Sequence, residues 1–242
     1  MDKWKLLKKL MKEAQVIIEV VDARDIEGTR LPIAERMAGT NRLLILANKK
    51  DLLSEKVKVP RKGMLVSAKT ADKDERKELI NAILAKNSTR PMRALFIGYP
   101  NVGKSSLINM LAHRKAAKVS ALAGTTKNVQ WVRINEELQV TDYRGMFPDK
   151  ETRSELVRKG ALDVHGDEER YAYKLADDIL KNQKLRTWLE GKYDFSLKDA
   201  KTSDDVLAAI AKRRNWYIKG GELNISEAAK SLLRIMREAP EI

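Results

Sequence analysis

Apolar and polar positions divide the chain into two regimes. In the first, short apolar runs recur at 16–21, 43–47, 64–66 and 94–97. They are too short for ordinary helices and are mostly Val, Ile and Leu, the pattern of strands buried on both faces of a parallel sheet. Helical spacing intervenes, most clearly over 75–84 and 105–111, and Ser88-Thr89-Arg90-Pro91 forms a polar connector ahead of the fourth strand. Two further β-rich segments, 129–134 and 138–141, flank Asn135-Glu136-Glu137, a predicted hairpin turn. Six strands with interleaved helices predict an α/β fold, a doubly wound and mostly parallel sheet that presents its ligand site at the strand carboxyl ends.

The pattern changes after Asp142. Residues 147–159 are polar and read as a mobile connector, and nothing beyond them has the pattern of a sheet strand. Tyr171, Leu175 and Ile179 keep helical spacing, as do Ala172, Ala176 and Leu180. Ser203 reads as an N-cap, with Asp204 and Asp205 in the first turn and Lys212-Arg213-Arg214 in the last, as a helix dipole prefers. Ser226 and Glu227 open another helix, and Gly220-Gly221 marks the turn before it. The expected division is a nucleotide-binding domain over 1–158 and a small all-helical domain over 159–242.

At the N-terminus, Trp4, Leu7, Leu10, Met11 and Ala14 share one helical face opposite Lys3, Lys5, Lys8, Lys9 and Lys12. This segment is either a solvated helix packed on the domain or a basic arm that touches RNA. It lacks the apolar core and cleavage site of a secretory leader.

Composition narrows the classes. Cysteine is absent, which excludes disulfide partners, thiolate zinc sites and iron–sulfur clusters, and His113 and His165 alone make a poor metal site. No apolar run reaches the 18 or more residues of a membrane span, so no membrane partner is expected; the lack of cysteine fits a reducing cytoplasm, and a monomer is expected. The net charge of +14 is unevenly placed. Residues 1–158 hold 32 Lys and Arg against 19 Asp and Glu, whereas 159–242 hold 16 against 15. A nucleotide needs only a few cations, so the surplus on the first part points to a polyanion such as RNA. A thermophile's charge-rich surface would give a similar balance.

The chemistry lies in short motifs at predicted strand ends. Gly98-Tyr99-Pro100-Asn101-Val102-Gly103-Lys104-Ser105 has the form GxxxxGKS, and follows a strand and precedes a helix. Average residue usage would produce those four fixed positions by chance in roughly one chain of this length in a hundred. The two glycines let successive N–H groups of Asn101, Val102, Gly103, Lys104, Ser105 and Ser106 face phosphate oxygens. Lys104 is expected to bridge the β- and γ-phosphates, and Ser105 to hold Mg²⁺. Asn48-Lys49-Lys50-Asp51 has the form NKxD at the end of the second strand. Asp51 can accept hydrogen bonds from guanine's imino and amino groups, which adenine does not offer. Leaving a buried acceptor unpaired can reject the wrong base by about 10⁴–10⁵.

Asn48 is expected to tie the base to the phosphate loop, and Lys49 to lay its stem along the ring. Ser67-Ala68-Lys69 ends the next strand, where the Ala68 N–H can meet the guanine carbonyl and Lys69 can stack opposite Lys49. Asp142-Tyr143-Arg144-Gly145 matches DxxG, which would place Asp142 on Mg²⁺ through water and the Gly145 N–H on the γ-phosphate. Thr126, with Thr125 beside it, is the switch threonine expected on Mg²⁺ and the γ-phosphate. The bound species are then GTP or GDP with Mg²⁺. In an ordinary GTPase the phosphate loop comes first and the base reader last. Here NKxD precedes GxxxxGKS, so the domain reads as circularly permuted.

With NKxD, SAK, GxPNVGKS, GTT and DxxG in that order ahead of a helical tail, the chain resembles the circularly permuted GTPases of the YlqF/RbgA ribosome-biogenesis family. Val20-Val21-Asp22-Ala23-Arg24 resembles that family's VDAR segment, Gln130-Trp131-Val132 its QWV strand, and Gly220-Gly221-Glu222-Leu223-Asn224 its GG-containing helical module. The resemblance implies a P-loop fold, GTP hydrolysis, binding to the large ribosomal subunit and its rRNA, and K⁺ near Asn101. The asparagine has an alternative role in shaping its loop. Two features depart from the family: DYRG replaces DTPG, and the N-terminal Pro-Gly-His segment is missing. Met146 occupies the position after DxxG, and a thioether cannot orient a water as a glutamine does. Slow intrinsic turnover follows, with an activating surface supplying up to about 10³–10⁵ in rate. A GTP-gated binding module with negligible hydrolysis is the competing reading, and an ATPase a third.

Overall fold

The computed structural model describes residues 3–60, 63–112, 131–143, 145–146 and 151–240. They gather into two compact units, Met1–Asp149 and Lys150–Ile242.

The first unit is a six-stranded sheet in the order β3-β2-β1-β4-β6-β5. Its strands are β1 (Val16–Asp22), β2 (Leu43–Asn48), β3 (Gly63–Leu65), β4 (Met92–Gly98), β5 (Val132–Arg133) and β6 (Leu138–Asp142). Every pairing is parallel except the β5–β6 hairpin. All residues of β1 and β2 are buried, which explains their mostly apolar sequences. Register sets the site: Asp22 pairs with Asn48, Val20 with Gly98, and Phe96 with Asp142. The ends of β1, β2, β4 and β6 therefore share one carboxyl edge.

The α-helices among the described residues of this unit are α1 (Lys3–Glu13), α2 (Pro32–Arg42), α3 (Lys73–Leu84) and α4 (Lys104–Ala112). α3 begins at a capping box, in which Asp72 accepts from the Asp74 and Glu75 N–H groups and Glu75 reaches back. α1 packs as a helix, with Leu7, Leu10 and Met11 buried and Lys5, Lys8, Lys9 and Lys12 outward. Trp4 departs from the expected apolar face and is 44% exposed, because it lies a full turn ahead of the buried anchors. The loop after β1 closes over a buried acid. Glu19 accepts from the Leu31 N–H at 2.5 Å and Arg30 Nε at 2.9 Å, while burial pushes its pKa up.

The second unit is helical: α5 (Arg153–Arg158), α6 (Glu168–Lys181), α7 (Gln183–Tyr193), α8 (Ser203–Arg213) and α9 (Ile225–Ile235). Leu175, Ile179, Leu189, Ile210 and Leu232 meet in one core. Three boundaries differ from the sequence reading. The stretch 147–159 carries α5, opened by a Thr152–Glu155 capping box and held by buried Leu156 and Val157; residues 147–150 lie outside the described set. Thr202, not Ser203, caps α8 by accepting from the Asp205 N–H, and Asn224, not Ser226, caps α9. The only β-pairing among the described residues here is an isolated bridge, Tyr217 to Leu223, across the Gly220-Gly221 turn.

Candidate nucleotide-binding site

The phosphate loop leaves β4 through a backbone that only glycine tolerates. Gly98 has φ +151°, and a Cβ there would stand 2.2 Å from the Val20 carbonyl oxygen. Gly103 has φ +97°, and a Cβ would meet Asn48 Nδ2 at 2.2 Å. Asn101, exposed and at φ +61°, makes the bend between them. Lys104 opens α4 and folds back into the loop, with Nζ donating to the Tyr99 carbonyl at 2.6 Å and the Gly98 carbonyl at 3.2 Å. Burial lowers its pKa to about 8, opposed by the Asp142 charge. A phosphate arriving here would supply the counter-charge that this ammonium lacks.

Ser105 Oγ donates to Asp142 Oδ2 at 2.5 Å. The other carboxylate oxygen, Asp142 Oδ1, is buried without a hydrogen-bond partner among the described residues. Burial raises the Asp142 pKa, against the pull of Lys104 and the Ser105 hydroxyl. A hydroxyl beside a carboxylate with an orphaned oxygen is an all-oxygen donor set suited to Mg²⁺. Gly145 lies on the phosphate loop: a Cβ on it would strike Pro100 Cγ at 2.4 Å, and the next N–H, of Met146, donates to the Gly98 carbonyl at 3.1 Å. Thr125, Thr126, Gln130 and Arg144 lie outside the described residues.

Asn48 links the NKxD and SAK segments to the phosphate loop. Asn48 is buried; its Nδ2 donates to the Val102 carbonyl at 2.8 Å, and its Oδ1 accepts from the Ala68 N–H at 3.0 Å. Ser67 Oγ donates to Asp51 Oδ1 at 2.7 Å and accepts from the Lys69 and Thr70 N–H groups. Asp51 and Lys69 are exposed at the edge. Ala68 and Ser106 line one cavity of about 640 Å³ with Ala71, Asp72, Arg76 and Asn109. The structure thus gathers NKxD, SAK, the phosphate loop, Asp142 and Gly145 at one carboxyl edge.

One part of this edge escaped the residue-by-residue reading. Asp22, at the end of β1, pairs with Arg24 through two bonds of 2.8 and 2.6 Å and with Lys49 at 2.7 Å. Burial alone would raise the Asp22 pKa, but Arg24 and Lys49 outweigh it and hold the carboxyl below its ordinary value. The available signal was an acid ending a buried, mostly apolar strand. Nearby, Trp131 Nε1 donates to Glu13 Oε2 at 3.3 Å under the Arg93 guanidinium, joining β5 to α1.

The family model described as "50S ribosome-binding GTPase" matches residues 93–192, from the strand before the phosphate loop into α7. A GDP-bound YlqF structure superposes with a TM-score of 0.62 over 96% of this chain and 94% of its own, at 20% identity. The chain has the P-loop GTPase fold of YlqF. The chain is 29% identical to ribosome biogenesis GTPase A of Bacillus licheniformis, over 94% of the chain and 88% of that relative. It is also 29% identical to an uncharacterized GTP-binding protein of Methanocaldococcus jannaschii over 95% of the chain, and 28% identical to nuclear/nucleolar GTPase 2 of Arabidopsis thaliana, likewise over 95%. The chain spans only 63% and 42% of the length of those two. The topology agrees with the permutation, since the phosphate-loop strand β4 sits at the centre of the sheet although it is fourth in sequence.

Proposed function

We propose that this permuted GTPase binds GTP and GDP with Mg²⁺, hydrolyses GTP slowly by itself, and serves as an rRNA-binding assembly factor of the large ribosomal subunit. The observation that carries the reading is the bridging of Val102 and Ala68 by Asn48, which couples a base reader to a phosphate loop in one pocket. The names of the relatives support the ribosomal part.

Asp51, Ala68 and the stems of Lys49 and Lys69 recognise guanine. The N–H groups of 101–106 and Lys104 hold the phosphates, with Thr126 and Gly145 closing on the γ-phosphate. Ser105 and Asp142 would hold Mg²⁺, which when bound neutralises phosphate charge. Asn101 would contribute its side-chain carbonyl to a K⁺ ion. Met146 gives its backbone N–H to Gly98 and offers the attacking water no hydrogen-bonding group, so positioning must come from the assembled particle.

RNA binding rests on the basic surplus of the first 158 residues and on one surface of the helical part. Tyr217 and Ile218 are 52% and 47% exposed at the tip of the Gly220-Gly221 turn, next to exposed Lys212, Arg214 and Lys219. Exposed aromatic and basic groups together suit unstacked bases and phosphates. Residues 159–242 thus supply shape-specific contacts, and the protein acts as a cytoplasmic monomer. Among the described residues no helix is long and apolar enough to cross a membrane.

The test is GTP hydrolysis with and without purified large subunits, in K⁺ and in Na⁺. Stimulation by the subunit is expected. Met146 favours a second reading, a GTP-gated binding module, and no stimulation in any condition would establish it over the hydrolase.

A further inference from the structure

Lys49 combines two unusual features. Its backbone sits in the left-handed region at φ +73°, which is uncommon outside glycine. Its ammonium points away from solvent onto Asp22 Oδ2, leaving the side chain only 18% exposed. A strained residue persists where its surroundings over-determine it, and the surroundings here form a built anchor.

Asp22 is that anchor. Its side chain is 1% exposed, and the Arg24 side chain beside it is fully buried. Arg24 Nε and Nη2 take one carboxylate oxygen each, and the Arg24 N–H adds a third bond at 3.1 Å. The Asp22 N–H is fixed in turn by Thr29 Oγ1 at 2.9 Å. The carboxylate is thereby held rigidly, with Oδ2 shared between Arg24 and Lys49. Asp22 also stands beside Asn48 in the β1–β2 register, and the Ala23 N–H donates to the Asn48 carbonyl at 2.8 Å. The end of β1 thus holds the Asn48 backbone and the Lys49 side chain, both in the loop that carries Asp51.

We infer that Asp22 and Arg24 are positioning residues for guanine recognition: they pin the Lys49 ammonium so that its aliphatic stem is presented, pre-ordered, to one face of the base. The inference rests on the guanine-nucleotide reading of the site. A flexible lysine must lose most of its side-chain freedom to stack on a ring, and the anchor removes that cost before the nucleotide arrives.

The test is a double-mutant cycle on the affinity of the full chain for a fluorescent GDP and its inosine analogue, using Asp22→Asn, Lys49→Met and the double variant. Each single change is expected to weaken both nucleotides about tenfold, the size of one charge-assisted hydrogen bond. The double variant should be no weaker than the worse single one, because both remove the same contact. The preference for GDP over the inosine analogue, which reads the 2-amino group at Asp51, should be unchanged. A general loosening of the pocket would instead erase that preference and give additive losses, and either result overturns the proposal. Lys49→Met alters only a partly exposed side chain and keeps the stem, so it decides the matter even if Asp22→Asn fails to fold. Wild-type affinity in that variant also overturns the proposal. Failure of the wild type to bind either nucleotide would remove the guanine reading itself and this inference with it.

Discussion

Asn48 and Val102 stand 54 positions apart in the chain, yet a 2.8 Å hydrogen bond joins them where the ends of β2 and β4 come together. With Ala68 on its other side, Asn48 spans three loops whose order in sequence differs from that of an unpermuted GTPase. The pocket survives permutation because it depends on which strands are neighbours, not on where the chain begins.

Replacing Asn48 by Ala leaves the Val102 carbonyl and the Ala68 N–H without their partner. The expected cost is about 1–3 kcal/mol in folding stability, and GDP affinity should fall more than tenfold. Denaturant unfolding and equilibrium nucleotide titration check the two parts separately.

Lys104 makes the site pH-sensitive. Its folded-state pKa of about 8 lies below the ordinary 10.5, so between those values the unfolded chain holds a proton that the folded chain has lost. Stability of the nucleotide-free protein from this group therefore rises with pH across that window. Phosphate binding needs the charged form, so GDP affinity should be flat below pH 8 and decline above it, approaching tenfold per unit. Lys104→Arg, which stays charged, should lose both slopes. Isothermal titration between pH 7 and 9 and thermal melts over the higher range are the measurements.

Asp142→Asn should abolish the Mg²⁺ dependence of nucleotide affinity. The buried carboxylate oxygen that has no partner is the group a divalent cation would satisfy, and an amide cannot serve as an anionic donor there. Titrating GDP with Mg²⁺ and with a chelator should give curves that coincide for the variant and differ for the parent.

Asp51→Asn exchanges a double acceptor for a group that also donates. The variant should lose GTP by at least about a hundredfold and favour xanthosine triphosphate, whose 2-oxo group accepts where guanine donates. Competition binding with the two triphosphates measures the switch.

Much of this was legible in the sequence because short buried strands and phosphate-loop glycines are local signals. All six strands were visible, and the motif order gave the permutation before any topology was known. What was missed depends on partners far along the chain. The Asp22–Lys49 pair joins two strand ends, and neither residue reveals the other by spacing. Polarity hid α5, although Thr152 and Glu155 carry its capping box in plain order. The caps of α8 and α9 moved by one and two residues because Thr202 and Asn224 compete with nearby serines for the same N–H groups.

The central claim, a nucleotide-controlled factor for the large subunit, is tested most directly by co-sedimentation with purified large ribosomal subunits in the presence of GDP or a non-hydrolysable GTP analogue. The account predicts that the protein pellets with the large subunit when the GTP analogue is bound, far less so with GDP, and that binding weakens steeply as salt rises. Equal pelleting in both nucleotide states, or none in either, would contradict it.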